Sequence, residues 1–257
     1  SIVVLLLVLA VQRRLHLLKA LGVADLKHFA LLGLLNPFLY YVTLFEAYDL
    51  LPAQQAQPLN YTWAITLALL SGPMLGQRIP ARAFVALFIS YAGVVVIATE
   101  GQVLALQFTS VPGVALALGS TVFWALYWIF NTRASGDPVV GLLAGFCCSL
   151  PMILLATLAF SSIPVPPWQG LAGAAYVGTF EMGLAFVFWL QALKRSRTTA
   201  QVGNLIFLAP FLSLVFIHLL VGEQIHPATF VGLVFIVAGN VVQQWPSSRK
   251  RALAAHE

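Results

Sequence analysis

Charged side chains are scarce in this sequence: Asp, Glu, Lys and Arg make up 8% of the 257 residues, against about 25% in ordinary soluble domains. Hydrophobic residues make up 60%. So few charges exclude a soluble domain of normal size, because they cannot cover its surface. The apolar runs are long enough for membrane-spanning helices, so the composition predicts an all-α polytopic membrane protein.

The motifs of ATP-driven pumps and of common enzymes are also absent. The chain has no Gly-x-x-x-x-Gly-Lys-Ser/Thr phosphate loop, no His-Glu-x-x-His and no Gly-x-Ser-x-Gly pattern. The only cysteines, Cys147 and Cys148, are adjacent in an apolar segment, and we interpret them as packing residues. We therefore expect no enzyme, no catalytic residue, no metal ion and no cofactor.

Nine apolar segments follow one another with short connections, and a span needs about 20 residues to cross roughly 30 Å of hydrocarbon. They lie near residues 1–12, 28–50, 53–75, 82–98, 112–132, 138–160, 169–193, 199–221 and 228–245. The first segment is too short for a complete span. We therefore expect a further apolar helix upstream of residue 1.

Positive charge alternates between successive loops. All 13 Lys and Arg residues fall on one side of the nine-span arrangement, which is the positive-inside distribution. They are Arg13, Arg14, Lys19, Lys27, Arg78, Arg82, Arg133, Lys194, Arg195, Arg197, Arg249, Lys250 and Arg251. This distribution predicts a multi-pass membrane protein with a cytoplasmic carboxyl terminus. A nucleic-acid surface would not alternate loop by loop, so we expect no nucleic-acid partner.

Residues 53–96 recur without a gap at residues 199–242. The matching pairs include Gln55 with Gln201, Leu59 with Leu205, Gly76 with Gly222, Phe84 with Phe230, Leu87 with Leu233, and Gly93 with Gly239. The turn of the first copy carries Arg78 and Arg82, where the second has Gln224 and Ala228, so the copies are predicted to face opposite sides of the membrane. Such inverted repeats are typical of secondary transporters. Residues 1–110 would form a first repeat with four of five helices present, and residues 111–257 a second repeat with a short basic cytoplasmic tail.

Several motifs resemble the drug/metabolite transporter superfamily, in particular its EamA-type members. They are the short basic loops, Gly222-Glu223 at the second turn, and the Ala209-Pro210 step. The stretch Leu59-Asn60-Tyr61-Thr62-Trp63, and the run from Phe123 to Tyr127 followed by Asn131, are similar to YddG-type aromatic amino acid exporters. Ala64 stands where that group has proline. The resemblance implies a ten-helix inverted-repeat transporter (5+5) whose first helix is missing here. It also implies a location in the bacterial inner (plasma) membrane, and export.

Polar groups at membrane mid-depth are the natural candidates for function, because they are costly there. Glu181 lies near the middle of its span with no Lys or Arg at that depth. It is interpreted as a proton-coupling group or a partner for a substrate amino group, and alternatively as a protonated carboxyl bonded across helices. Asn36-Pro37 and Pro210 are predicted helix breaks that line a site and act as gates, with packing kinks as the alternative.

Aromatic side chains accompany these polar groups near span centres. The predicted substrate-binding residues are Asn36, Tyr40, Asn60, Tyr61, Trp63, Trp124, Tyr127 and Glu181. Their faces combine large apolar surfaces with a few hydrogen-bond donors, as a pocket for an aromatic or bulky amphipathic solute would. Ordinary helix packing is the alternative.

The predicted function is a secondary-active exporter of small hydrophobic or aromatic solutes, with the amino acids Phe, Tyr and Trp the leading substrates. Cationic drug efflux, an integral-membrane lipid-modifying enzyme, and a channel or scaffold are the alternatives. The expected partners are a small-molecule substrate, the lipid bilayer and a proton as coupling ion. Gly141 and Gly145 form a small-residue motif interpreted as packing inside the bundle, with packing between subunits as the alternative. The protein is expected to act as a monomer.

Overall fold

The structure, a computed structural model, describes residues 1–76, 81–104, 109–131, 136–160, 166–188 and 209–244. All regular secondary structure in these ranges is helical, which confirms the all-α prediction. Residues 199–208 of the predicted second repeat copy and the basic carboxyl-terminal tail lie outside the described residues.

The helix bounds follow the predicted apolar segments closely. The α-helices are α1 (Ile2–Val11), α2 (Val23–Gly33), α3 (Tyr40–Leu50), α4 (Ala53–Asn60), α5 (Trp63–Leu75), α6 (Ala81–Ala98), α7 (Val111–Asn131), α8 (Pro138–Phe160), α9 (Trp168–Tyr176), α10 (Ala209–Phe216) and α11 (Pro227–Gln244). Three π-helical segments extend them, at Leu34–Leu39, Val177–Ala185 and Ile217–Val221, and a short 3₁₀ helix covers Leu15–Ala20.

Five of the described helices are long and apolar enough to cross a membrane. They are Asp25–Leu50, Ala81–Ala98, Val111–Asn131, Pro138–Phe160 and Trp168–Phe188. Three shorter apolar helices lie at Ile2–Val11, Ala209–Val221 and Pro227–Gln243. Together they fit a polytopic membrane protein.

The predicted span at residues 53–75 is not one continuous helix, which corrects the sequence prediction. A turn at Tyr61 and Thr62 separates α4 from α5. The backbone N–H groups of these two residues bond to the carbonyls of Pro58 and Leu59, three residues back, at 3.1 and 3.2 Å. Pro58 has no N–H of its own, so the last turn of α4 loses one regular bond and tightens.

The chain forms two compact units. Unit 1 takes Ser1–Val42 and Phe130–Ile206, and unit 2 takes Thr43–Ile129 and Phe207–Glu257. Each unit draws on both halves of the sequence. The division into repeats at residues 1–110 and 111–257 is a division along the chain, and it stays a prediction.

In unit 1, α8 is the central helix and packs against α1, α2 and the π-helical segment Leu34–Leu39. The apolar core consists of Leu5, Leu9, Val139, Val140, Leu142, Leu143, Phe146 and Val187. Where α2 meets α8, a Cβ on Gly33 would collide with the Gly145 carbonyl oxygen and lie 3.1 Å from the Ser149 nitrogen. The two backbones therefore approach closely, which fits the predicted intramolecular use of Gly145.

In unit 2, α6 and α11 form the main helix pair. A Cβ on Gly93 would lie 2.5 Å from the Gly232 carbonyl oxygen, and a Cβ on Gly232 would lie 2.6 Å from the Gly93 carbonyl oxygen. Neither position tolerates a side chain. We call this glycine contact between α6 and α11 the glycine seam.

Several contacts between α6 and α11 join residues at, or reciprocal under, the 146-residue offset of the sequence repeat. Ser90 Oγ donates to the Ile236 carbonyl at 3.3 Å, and these residues are 146 positions apart, which is the offset of the repeat. Two further contacts are reciprocal under that offset: Gly93 with Gly232, and Gly239 with Ala86. The turns behave alike as well, since Gly76 and Gly222 both end a helix in the left-handed conformation, at φ 66° and 81°.

Candidate functional site

The helix that runs from Asp25 to Leu50 is broken at its middle. Asn36 has φ −146° and ψ 120°, outside the helical region. The next residue, Pro37, disfavours the α conformation in the residue before it and supplies no N–H to the carbonyl of Gly33. The structure therefore places a helix break at Asn36-Pro37, where the sequence predicts one.

Asn36 is 1% exposed, and neither Nδ2 nor Oδ1 has a hydrogen-bond partner. It is the one side chain in the described ranges for which this holds at both polar atoms. Buried amides are nearly always bonded. An unbonded amide in the middle of a span is therefore a departure that calls for a functional explanation.

One turn further on, unit 1 carries a tyrosine pair and a carboxylate. Tyr40 is buried, and its ring meets that of Tyr41 edge-on at 5.0 Å between centroids. The Tyr41 hydroxyl donates to Glu181 Oε1 at 3.0 Å. Glu181 lies in the π-helical segment Val177–Ala185 with an exposed side chain. Tyr41 was not among the predicted residues; its position one after Tyr40 at mid-span was the available signal.

Unit 2 holds the predicted aromatic residues in one cluster. Trp63 meets Trp124 edge-on at 6.3 Å, and Trp124 lies 6.0 Å from Tyr127. Trp128 joins them, at 5.9 Å from Trp124 and 5.6 Å from Tyr127. We call these four residues the aromatic cluster. Trp128 was missed because its place near the end of α7 suggests an interfacial anchor.

Polar bridges accompany the aromatic cluster between α4–α5 and α7. Asn60 Nδ2 donates to Ser120 Oγ at 2.8 Å, and the hydroxyls of Thr66 and Thr121 lie 2.9 Å apart. These bridges fix the two helices so that Trp63 and Trp124 meet. Ser120 and Thr121 of α7 therefore bond to α4 and α5.

The backbone carbonyl of Tyr61, in the turn between α4 and α5, is bonded from a distant helix. Asn240 of α11 donates to it through Nδ2 at 3.3 Å. Asn240 is 3% exposed, so the irregular backbone is braced inside the protein, as it must be at membrane depth.

The start of α4 is capped by a carboxylate from the turn after residue 221. Glu223 accepts the backbone N–H groups of Ala53 at 3.0 Å and Gln54 at 3.1 Å. The Gln54 side chain bonds to the backbone that follows Glu223. Its Nε2 donates to the Gln224 carbonyl at 2.8 Å, and its Oε1 accepts from the His226 N–H at 2.7 Å. A carboxylate at a helix amino terminus is favourable because of the helix dipole. We call this network the Glu223 cap.

The predicted site residues thus fall into two groups. Unit 1 holds Asn36, Pro37, Tyr40 and Glu181, and unit 2 holds Asn60, Tyr61, Trp63, Trp124, Tyr127 and Pro210. Pro210 is buried at the second position of α10; the residues before Ala209, where the predicted break would lie, are outside the described residues. Within the ranges that the structure describes, no three His, Cys, Asp or Glu side chains group to hold a metal ion.

Comparison with known families gives one extended match. The model of the EamA-like transporter family matches residues 1–99 and 111–242. A solved crystal structure aligns with this chain at a TM-score of 0.64 and 23% sequence identity. The alignment covers 95% of this chain and 83% of the chain in that structure, which shows a shared fold.

Several proteins are similar over most of the chain. An uncharacterized transporter of Clostridium kluyveri is 27% identical over 238 residues, covering 89% of this chain and 74% of that protein. The uncharacterized transporter YvbV of Bacillus subtilis is 24% identical over 254 residues, covering 97% and 81%. The aromatic amino acid exporter YddG of Ancylobacter novellus is 26% identical over 212 residues, covering 82% and 73%.

Proposed function

The chain belongs to the EamA-like transporter family and is an integral membrane transporter, and from this premise we propose that it exports aromatic amino acids such as Phe, Tyr and Trp. The observation that carries the proposal is the aromatic cluster of unit 2, in which Trp63 at the start of α5 meets Trp124 in α7. Aromatic rings bind other rings edge-on or offset at such distances. The similarity to an aromatic amino acid exporter supports the same class of substrate.

Glu181 is proposed to interact with the substrate ammonium group or to carry the coupling proton. Its carboxylate is exposed and bonded to Tyr41, and a Lys or Arg at mid-span is absent from the helices that the structure describes. Without a cationic side chain beside it, the carboxylate can respond to a substrate cation or to a proton.

The proposed mechanism is alternating access, in which two inverted repeats open a central cavity to each side in turn. The reciprocal contacts of the glycine seam support the repeat, because a two-fold relation between the copies produces such pairs. The positive-inside distribution supports an inner-membrane location with the carboxyl terminus in the cytoplasm. We propose that the protein acts as a monomer.

Counterflow in proteoliposomes tests the proposal. Liposomes loaded with unlabelled Phe should accumulate labelled Phe transiently and saturably, and Trp should compete. Trp124→Ala should weaken transport by roughly 10-fold, the loss expected for one aromatic contact of about 1.4 kcal/mol. Leu155→Ala is a matched control, because Leu155 is 66% exposed on the outside of α8. Absence of counterflow with all three aromatic amino acids would reject the substrate class.

Efflux of cationic drugs is the second candidate, and the exposed Glu181 carboxylate favours it. The same liposomes should then be challenged with a quaternary ammonium compound. Glu181→Gln should abolish its transport if the carboxylate is the attracting group. Full pH-dependent transport of Phe by Glu181→Gln would exclude Glu181 as the coupling group.

A further inference from the structure

The buried amide of Asn36 lacks hydrogen-bond partners that a ligand could supply. A primary amide offers two N–H donors and one carbonyl acceptor. In Asn36 all of them are buried and without partners, and the backbone beside them is bent out of the helix. Interruptions of this kind at membrane depth are tolerated where they are buried in protein or line a cavity.

The neighbouring residues make no hydrogen bond to this amide. Gly33 lies one turn before Asn36 and has no side chain, and Pro37 has no N–H. On α8, the Ser149 hydroxyl donates its proton to the Phe146 carbonyl at 2.9 Å, so it has no proton left for Asn36 Oδ1. The backbone of α2 at Gly33 lies against the backbone of α8 at Gly145 and Ser149, so this part of unit 1 is closely packed.

An amino acid substrate brings a carboxylate that some donor must meet. Four described side chains have a buried nitrogen without a partner: His28, Asn36, Arg82 and Trp128. His28 and Arg82 lie near the ends of their spans, and Trp128 lies in the last turn of α7. Asn36 alone is at the centre of a span, where a central site in the membrane would require the donor.

We propose that Asn36 binds the main chain of an α-amino acid and selects amino acids over the corresponding amines. Nδ2 donates to the substrate carboxylate, and Oδ1 accepts from the substrate ammonium group. One amide can reach both, because the carboxylate and the ammonium group are attached to the same α-carbon of the substrate. Because Asn36 is buried in this conformation, the substrate reaches it when the helix break at Asn36-Pro37 opens. This inference rests on the proposed function and assigns the specificity of its site.

The test compares labelled Phe with phenethylamine, which has the same ring and ammonium group and lacks the carboxylate. In wild type, Phe should be strongly preferred. Asn36→Leu removes the donor, and a hydrogen bond to a charged group corresponds to about 10- to 100-fold in affinity. The ratio of Phe to phenethylamine transport efficiency should therefore fall by at least about 10-fold. Asn240→Leu is the matched control, and it should leave this ratio unchanged.

A second variant separates recognition from folding. Asn36→Asp keeps the shape and the acceptors, removes the donors and adds negative charge, so phenethylamine should become the preferred solute. An unchanged ratio in Asn36→Leu or in Asn36→Asp would overturn the inference, and so would an equal loss of both solutes with a lowered melting temperature.

Failure of the inference can be told from failure of the proposed function. Wild type that moves Phe, with Asn36 variants that keep the wild-type ratio, contradicts only the inference. Wild type that moves no aromatic amino acid contradicts the proposed function and removes the basis of the inference.

Discussion

The two units use their buried polar groups in different ways. In unit 2, Asn60, Thr66 and Gln54 are bonded to distant helices or turns, and the glycine seam locks α6 to α11. In unit 1, two π-helical segments interrupt the spans, Asn36 is unbonded and Glu181 is exposed. Satisfied polar networks rigidify a structure, whereas unsatisfied groups in a native fold call for a functional explanation. Unit 2 also has buried polar atoms without partners, one each on Gln55, Gln57, Arg82, Trp128 and Asn240. We conclude that the units differ at Asn36, the described side chain that is unbonded at both polar atoms.

The glycine seam should give the largest loss of stability. In Gly232→Val, the new Cβ would lie 2.5 Å from Ile97 Cγ1 and 2.6 Å from the Gly93 carbonyl. Overpacking of this kind should lower the free energy of unfolding by about 3 kcal/mol, seen as a lower melting temperature of the purified protein. Gly119→Val is the control, because a Cβ there meets no atom within 4 Å. Equal losses in both variants would mean that the seam does not lock unit 2.

Removing the Glu223 cap should give the second-largest loss of stability. Glu223→Ala removes two hydrogen bonds to the start of α4 and should reduce the free energy of unfolding by about 2 kcal/mol. Glu46→Ala is the control, since Glu46 is an exposed carboxylate in α3. A melting temperature as high as that of the control would show that α4 is held by apolar packing instead.

The two buried asparagines should behave oppositely. Asn240→Leu leaves the Tyr61 carbonyl without its donor and should reduce the free energy of unfolding by about 1 kcal/mol. Asn36→Leu replaces an unbonded amide by an apolar group of similar size and should cause no loss. Thermal melts of the two variants make the comparison, and a larger loss in Asn36→Leu would contradict the contrast between the units.

Tyr41→Phe should give the smallest effect. It removes one donor to an exposed carboxylate and leaves the ring in place, so little packing is lost. The free energy of unfolding should change by less than about 0.5 kcal/mol. A loss above about 1 kcal/mol in the same melting assay would show that the Tyr41–Glu181 bond stabilises the fold. It would weaken the proposal that Glu181 interacts with the substrate or with a proton.

The sequence predicts the helices better than it predicts their contacts. Apolar length gives the bounds of α8 and, within a residue or two, those of α6, α7 and α11, because hydrocarbon thickness sets the length of a span. The break at Asn36-Pro37 is visible because proline acts locally. The turn at Tyr61 was missed although Pro58 was the signal, since a proline near a helix end is often tolerated.

The candidate site is predictable in part for the same reason. Aromatic and polar residues at span centres stand out against apolar surroundings, which identifies Trp63, Trp124 and Glu181. The Glu223 cap was missed, because it joins residues 170 positions apart and no local pattern encodes such a pairing. The unbonded state of Asn36 likewise depends on what α8 presents to it, which only the packed structure gives.

Thermal melting with and without Phe, for wild type, Asn36→Leu and Asn240→Leu, tests the central claim most directly. A ligand at 100 times its Kd stabilises the folded state by about 2.7 kcal/mol, so wild type should melt at a clearly higher temperature with Phe. Asn240→Leu should melt lower than wild type without Phe and still gain from it. Asn36→Leu should keep its melting temperature without Phe and gain little from it. The opposite pattern, a full gain in Asn36→Leu and none in Asn240→Leu, would contradict the assignment of main-chain binding to Asn36.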